Sequence, residues 1–207
     1  MIKTVFWDFD GVILDSMAIR DWGFREIFKS FDNEKVDALL KYHKLNGGLS
    51  RYVKIRYFYE EILENVITEN EVLEYANAFS QLMKEELINP NNLILDSLQF
   101  IKDNYNKYHF HIVSGSDQEE LGYLCKELNI HHYFLSIHGS PTPKNQLVKD
   151  LLNKYNYSTD ETCLIGDSVN DFEAAKSNNI SFYSYNSKFL KGKKIGRYIN
   201  NFSEFNF

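Results

Sequence analysis

Ile2-Lys3-Thr4-Val5-Phe6-Trp7-Asp8-Phe9-Asp10-Gly11-Val12 is the stretch whose reading decides the fold. Residues 2–7 are apolar except for Lys3 and Thr4 and have the length of a buried strand. Two aspartates two residues apart follow at once, and then a glycine. Residues two apart in extended backbone point the same way, so Asp8 and Asp10 face one spot if strand geometry persists that far. Two carboxylates so close need a cation, a shared proton, or both. A Mg²⁺ site with one carboxylate as nucleophile and the other as acid/base requires such a pair. A strand ending in an Asx-type turn uses the same residues. Alone, the stretch fits both readings equally, and the rest of the chain separates them.

Beyond Val12-Ile13-Leu14, Asp15-Ser16 marks a helix start, and helical signals continue to about Leu87. Met17, Ile19, Trp22, Phe24, Ile27 and Phe28 are expected to form one apolar face. Val36, Leu39, Leu40 and Tyr42 predict a shorter helix that stops at Asn46-Gly47-Gly48. Ser50 has the position of an N-cap. Thr68 with Glu71 is a capping-box pattern. After Asn89-Pro90-Asn91 the period changes. Strands are expected at Tyr108–Val113, Tyr133–His138, Glu161–Ile165 and Ile180–Tyr185, with helices between them. Strand alternating with helix points to a parallel sheet with helices on both faces. Residues 1–15 and 88–207 are therefore expected to form an α/β, Rossmann-like core, and residues 16–87 an all-helical insertion.

Composition sets bounds on the function. The 207 residues are 43% hydrophobic and 25% charged, enough for a core without staples. The net charge of −6 argues against a nucleic-acid surface. Lys188, Lys191, Lys193, Lys194 and Arg197 make a local basic cluster, expected to be a solvated loop. Cys125 and Cys163 lack metal-type spacing and are expected to be reduced core residues of a cytoplasmic protein. No run is long enough for a membrane span.

Ligands of open parallel sheets bind outside the carboxyl ends of the strands. There the chain places Asp8 and Asp10, then Ser114-Gly115-Ser116, then Lys144 in the loop after Gly139-Ser140-Pro141-Thr142-Pro143, then Gly166-Asp167-Ser168 with Asn170 and Asp171. In order and spacing, Asp8-Phe9-Asp10-Gly11-Val12, Ser114, Lys144 and Gly166-Asp167-X-X-X-Asp171 resemble the four motifs of the haloacid dehalogenase superfamily of aspartate-nucleophile phosphohydrolases. The helical insertion resembles the cap of its phosphoglycolate phosphatase and β-phosphoglucomutase branch.

The resemblance implies roles. Asp8 would be the nucleophile that forms an aspartyl-phosphate, and Asp10 the acid/base. Ser114, helped by the N–H of Gly115, would hold a phosphoryl oxygen, and Lys144 would add positive charge. Mg²⁺ would be held by Asp8, Asp167 and the backbone carbonyl of Asp10, with Asp171 orienting Lys144 or a metal-bound water. The dehalogenases lack the second aspartate, so Asp10 points to phosphoryl transfer. Four carboxylates against one lysine are workable for a phosphate dianion only with a divalent cation and a protonated Asp10.

In the insertion, Gly47-Gly48-Leu49-Ser50-Arg51 is similar to the cap stretch that meets the distal end of the substrate in β-phosphoglucomutase-like members. This makes Gly48, Arg51 and, one turn on, Lys54 substrate-binding candidates. A helix–loop–helix connection with a surface arginine fits equally. Arg20 and Arg25 are expected to be structural or solvent-facing. The expected function is Mg²⁺-dependent hydrolysis of a small phosphorylated metabolite, a sugar phosphate or a phosphoglycolate-like acid. The alternatives are a phosphosugar mutase and a non-catalytic binding protein on the same scaffold.

Overall fold

The structure is a computed structural model covering residues 1–207. Six parallel strands form one sheet in the order β3-β2-β1-β4-β5-β6. They are β1 (Thr4–Trp7), β2 (His109–Asp117), β3 (Ser136–Ser140), β4 (Thr162–Gly166), β5 (Ser181–Tyr185) and β6 (Arg197–Ile199). β1 lies between β2 and β4, with Trp7 paired to Ile112 on one side and Ile165 on the other. The chain runs outward from β1 to β3, then returns to lay β4 on the opposite side of β1. That reversal opens a crevice at the carboxyl ends of β1 and β4, where Asp8 and Asp167 stand.

Alternation along β1 builds two cores. Val5 and Trp7 join the larger apolar cluster with α5 (Leu95–Asn104), α6 (Gln118–Glu127) and the C-terminal Phe202. Phe6 points the other way, into a cluster with α7 (Lys144–Tyr155), α8 (Val169–Ser177) and α9 (Lys188–Lys193). Helices thus cover both faces, as parallel strands buried on both sides require. Cys125 and Cys163 are buried free thiols. No helix is long and apolar enough to cross a membrane.

Between β1 and β2 the chain forms α1 (Met17–Ile27), α2 (Asn33–Leu45), α3 (Arg51–Tyr57), a π turn (Phe58–Ile62) and α4 (Glu69–Glu86). Phe24, Phe28, Phe58 and Phe79 are fully buried among them, and burying such a side chain is worth roughly 1.5–3 kcal/mol. The Ser50 N-cap and the Thr68–Glu71 capping box both form. The connections into and out of this segment run side by side. Asp15 N–H donates to Asn92 O at 2.7 Å, and Ile94 N–H to Ile13 O at 2.9 Å.

Two expectations are corrected, and one alternative is decided. The basic cluster at 188–197 is not simply a loop, because Leu190 is fully buried and anchors α9, and Arg197 opens β6. Trp22 is 38% exposed, whereas Arg20 and Gly23 lie on the buried face of α1 with Phe24. Arg20 is therefore not solvent-facing. Gly23 leaves room for Met83 and Phe79, which a Cβ there would strike at 2.5 and 3.0 Å.

Candidate active site

β1 ends at Trp7, so Asp8 and Asp10 lie just past the strand, in a turn opened by Gly11. Gly11 has φ +76°, and a Cβ there would come within 2.2 Å of Asp167 Oδ2. Glycine thus lets this turn approach the end of β4. Asp8 N–H donates to Ile165 O at 2.9 Å, which ties the two strand ends together. Asp8, Asp167 and Asp171 place carboxylate oxygens within 4.8 Å of one another.

Lys144 reaches this group from the start of α7. Its Nζ lies 2.8 Å from Asp8 Oδ1 and donates to Asp171 Oδ1. Asp171 Oδ2 is also taken, by the N–H and O–H of Ser168 in a capping box that starts α8. Asp171 is thus committed to its neighbours, and Asp8 and Asp167 are left to face a ligand. Burial, then the charge of Asp171, pushes the Asp8 carboxyl well above the usual carboxylate range, against the pull of Lys144. The same two causes push Asp167 up to about 8. A buried and a half-buried acid, both destabilised in their ionised form at the tip of a parallel sheet, suit a divalent cation with oxygen ligands.

Asp10 lies in a different setting. Its Oδ1 accepts from Ser16 Oγ at 2.5 Å and Arg20 Nε at 2.7 Å, and its Oδ2 accepts from Ser116 Oγ at 2.5 Å. Burial raises its pKa, but the charge of Arg20 and these hydrogen bonds outweigh burial and bring it below the usual value. Arg20 and the two serines thus favour the ionised form of Asp10 in this arrangement. Ser16 starts α1 without capping it, since its hydroxyl is turned to Asp10.

The remaining candidates fall around the same cavity, which has a volume of about 280 Å³. Ser114 is buried, and its Oγ accepts from Ser116 N–H at 3.0 Å, leaving its own proton free to donate. Gly48 packs against Ser168 and Asn170, and its carbonyl oxygen would lie 2.3 Å from a Cβ on Gly115. The glycine loop between α2 and α3 therefore lies directly against the strand ends. Arg51 also lines the cavity, but its Nη1 is 2.6 Å from both Glu120 Oε2 and Ser80 Oγ. Its guanidinium sits 4.7 Å over the Phe79 ring.

Arg20 and Glu120 were missed as site residues. Arg20 Nη1 meets Glu120 Oε1 at 3.2 Å, so Glu120, fully buried on α6, joins Arg20 to Arg51. The available signal for Arg20 was its place four residues before Phe24 and eight before Phe28 on one helical stripe. Nothing in the sequence marks Glu120, whose partners lie 100 and 69 residues away. Arg20→Met is expected to lower kcat by about 10²-fold, since it removes the donor that orients Asp10. Rescue by Arg20→Lys that equals wild type would overturn this, because only the forked guanidinium reaches Asp10, Ser116 and Glu120 together.

A family model described as haloacid dehalogenase-like hydrolase matches residues 5–184. No curated protein matches significantly. Among solved structures, CbbY from Rhodobacter sphaeroides in complex with phosphate superposes with a TM-score of 0.78 at 15% identity, covering 99% of this chain and 96% of that one. A β-phosphoglucomutase from Clostridium difficile gives 0.77 at 17% identity, covering 100% and 94%. A protein described as a predicted phosphoglycolate phosphatase from Haemophilus somnus gives 0.67 at 17% identity, covering 96% and 88%. At these identities the likenesses establish the fold.

Proposed function

The chain belongs to the haloacid dehalogenase-like hydrolases, and from that premise we propose that it is a Mg²⁺-dependent phosphatase of a small phosphomonoester that works through a phosphorylated Asp8. The observation that carries this reading is the convergence of Asp8, Asp167 and Ser114 on one cavity at the sheet's topological switch point, with Lys144 Nζ 2.8 Å from Asp8 Oδ1.

In the proposed mechanism, Asp8 attacks phosphorus and the leaving alcohol departs. Lys144, held by Asp171, and the Ser114 hydroxyl donate to the phosphoryl oxygens as charge develops on them. Asp8, Asp167 and the Asp10 carbonyl would hold Mg²⁺, whose charge offsets the carboxylates and the phosphate. Water then attacks phospho-Asp8, and Asp10 takes its proton. The ionised form of Asp10 that Arg20 favours is the one this second step needs. For the first step it must gain a proton and turn from Arg20 toward the leaving oxygen.

Residues 16–87 would act as a cap over residues 1–15 and 88–207, hinged where segments 13–15 and 92–94 run side by side. With Gly48 against Gly115, this would be the closed arrangement, with room for a small substrate only. The reading places the protein in the cytoplasm, where two buried thiols stay reduced; burial pushes that of Cys125 up to about 12 and raises that of Cys163 too.

The direct test is Mg²⁺-dependent phosphate release from 4-nitrophenyl phosphate. No release with or without metal would overturn the reading. The lifetime of the phosphoenzyme, and its transfer to a sugar phosphate hydroxyl, separates hydrolysis from the mutase alternative. Mg²⁺ at about 100 times its Kd is expected to stabilise the fold by about 2.7 kcal/mol, a Tm rise of roughly 5–11 °C. Absence of a rise would remove Mg²⁺ from the site.

A further inference from the structure

The mouth of the cavity has a composition that phosphoryl chemistry does not call for. Of the residues that line the cavity, only Lys44, Leu45 and Phe189 are exposed, so these three mark where it meets solvent. They come from both parts of the chain: Lys44 and Leu45 end α2, and Phe189 lies in the first turn of α9. Lys44 has a partner, since its Nζ is 3.2 Å from Asp21 Oδ2. Leu45 is 75% exposed and Phe189 56%, and neither belongs to an apolar cluster of the fold. Three half-buried apolar residues, Met17, Leu49 and Val169, line the same cavity.

Phe189 is held in this place by its neighbours. Asn186 Nδ2 donates to Gly11 O at 2.9 Å, which ties the chain ahead of α9 to the turn that carries Asp10. Ser187 caps α9 by accepting from Leu190 N–H at 3.4 Å, and Leu190 is fully buried. With the residues on both sides of it pinned, the Phe189 ring stays at the mouth. Single exposed apolar side chains are common on protein surfaces. Here two of them make up the unpaired rim of a site whose reacting groups are polar. A substrate that is polar throughout leaves the hydration cost of Leu45 and Phe189 unchanged. One that carries an apolar portion covers both side chains and takes its own apolar surface out of water.

We propose that Leu45 and Phe189 are specificity-determining residues that grip an uncharged, apolar portion of the substrate's alcohol where it emerges from the cavity. The substrate class is then a phosphomonoester whose alcohol carries an alkyl or aryl part some carbons from the ester oxygen. This deepens the phosphatase reading and rests on it, and the experiment separates the two.

Hydrolysis of n-hexyl phosphate, n-propyl phosphate, glycerol 3-phosphate and 4-nitrophenyl phosphate is compared. The first two release primary alcohols of equal basicity, so a difference between them reports the rest of the alcohol. A fully buried methylene raises affinity about fourfold, and a half-covered one about twofold. The three extra methylenes of the hexyl ester are therefore expected to raise kcat/KM about 10-fold over the propyl ester. Phe189→Ser and Leu45→Ser each lower that ratio, and the double variant brings it to about two, through the KM of the hexyl ester. Phe189→Leu retains most of it. If the double variant does not fold, the ratio in the single variants decides. A wild-type ratio near one, or a ratio unchanged in the variants, overturns the inference and leaves the phosphatase reading intact. An equal loss on every substrate also overturns it, because Leu45 and Phe189 would then only hold the two parts of the chain together. If none of the four esters is hydrolysed with Mg²⁺, the phosphatase reading falls and this inference falls with it.

Discussion

Asp8→Asn is expected to abolish phosphate release, with a loss in kcat of about 10⁴–10⁶-fold. Asparagine keeps the shape and the hydrogen bond from Phe9 N–H, made at 2.8 Å to Asp8 Oδ1, so the fold should survive. What it loses is the proposed nucleophile and one of the two carboxylates free to face a cation. The stability effect has the opposite sign. Asp8 is buried, and in its ionised form is repelled by Asp171 and Asp167. Removing its charge should leave the metal-free protein at least as stable as wild type, and the Tm rise with Mg²⁺ should shrink. Steady-state kinetics with thermal melts in the presence and absence of Mg²⁺ measure both effects. Residual activity near wild type would rule out phospho-Asp8, and a large drop in metal-free Tm would contradict the electrostatic account.

Lys144→Met should cost both stability and rate. Lys144 is 4% exposed and is the cation shared by Asp8 and Asp171. Those two carboxylates raise its pKa strongly despite burial, which otherwise lowers it. Methionine fills the same space but leaves two buried acids without their countercharge. Breaking such a pair costs about 3–5 kcal/mol, a Tm drop of roughly 6–20 °C for a chain of this size. The loss of one donor to the developing phosphoryl charge should lower kcat by about 10²–10³-fold. Mg²⁺ should recover part of the stability, because it restores positive charge beside Asp8, but not the rate. Full recovery of rate by Mg²⁺ would show that Lys144 serves the fold alone.

The parts legible in the sequence share one property: their signal is local. Strand β1 with its two aspartates, the Ser50 cap, the Thr68–Glu71 box and the Gly166–Asp171 turn each depend on residues within a few positions. Periodicity also separated the helical segment from the sheet. β6 and α9 were not legible, because three residues and one buried leucine are too short a pattern beside a run of lysines. Trp22 was assigned to the buried face on hydropathy, yet the geometry of α1 turns Arg20 inward in its place.

Arg20 also shows why the state of Asp10 could not be read in advance. A carboxylate's protonation depends on which charges are packed against it, and Arg20, Ser16 and Ser116 arrive there from different parts of the chain. The same holds for Arg51, which lines the cavity but has its charge paired by Glu120.

The sequence by itself determined the parallel α/β architecture, the strand ends where chemistry gathers, and the identity of Asp8, Asp167 and Lys144 as a charged set. Hydrophobic period and turn chemistry are encoded in neighbouring residues, so they survive in one dimension. Only the tertiary structure decided which charges cancel. It paired Asp10 with Arg20 and Arg51 with Glu120, because Coulombic partners are chosen by distance in space and by burial from water.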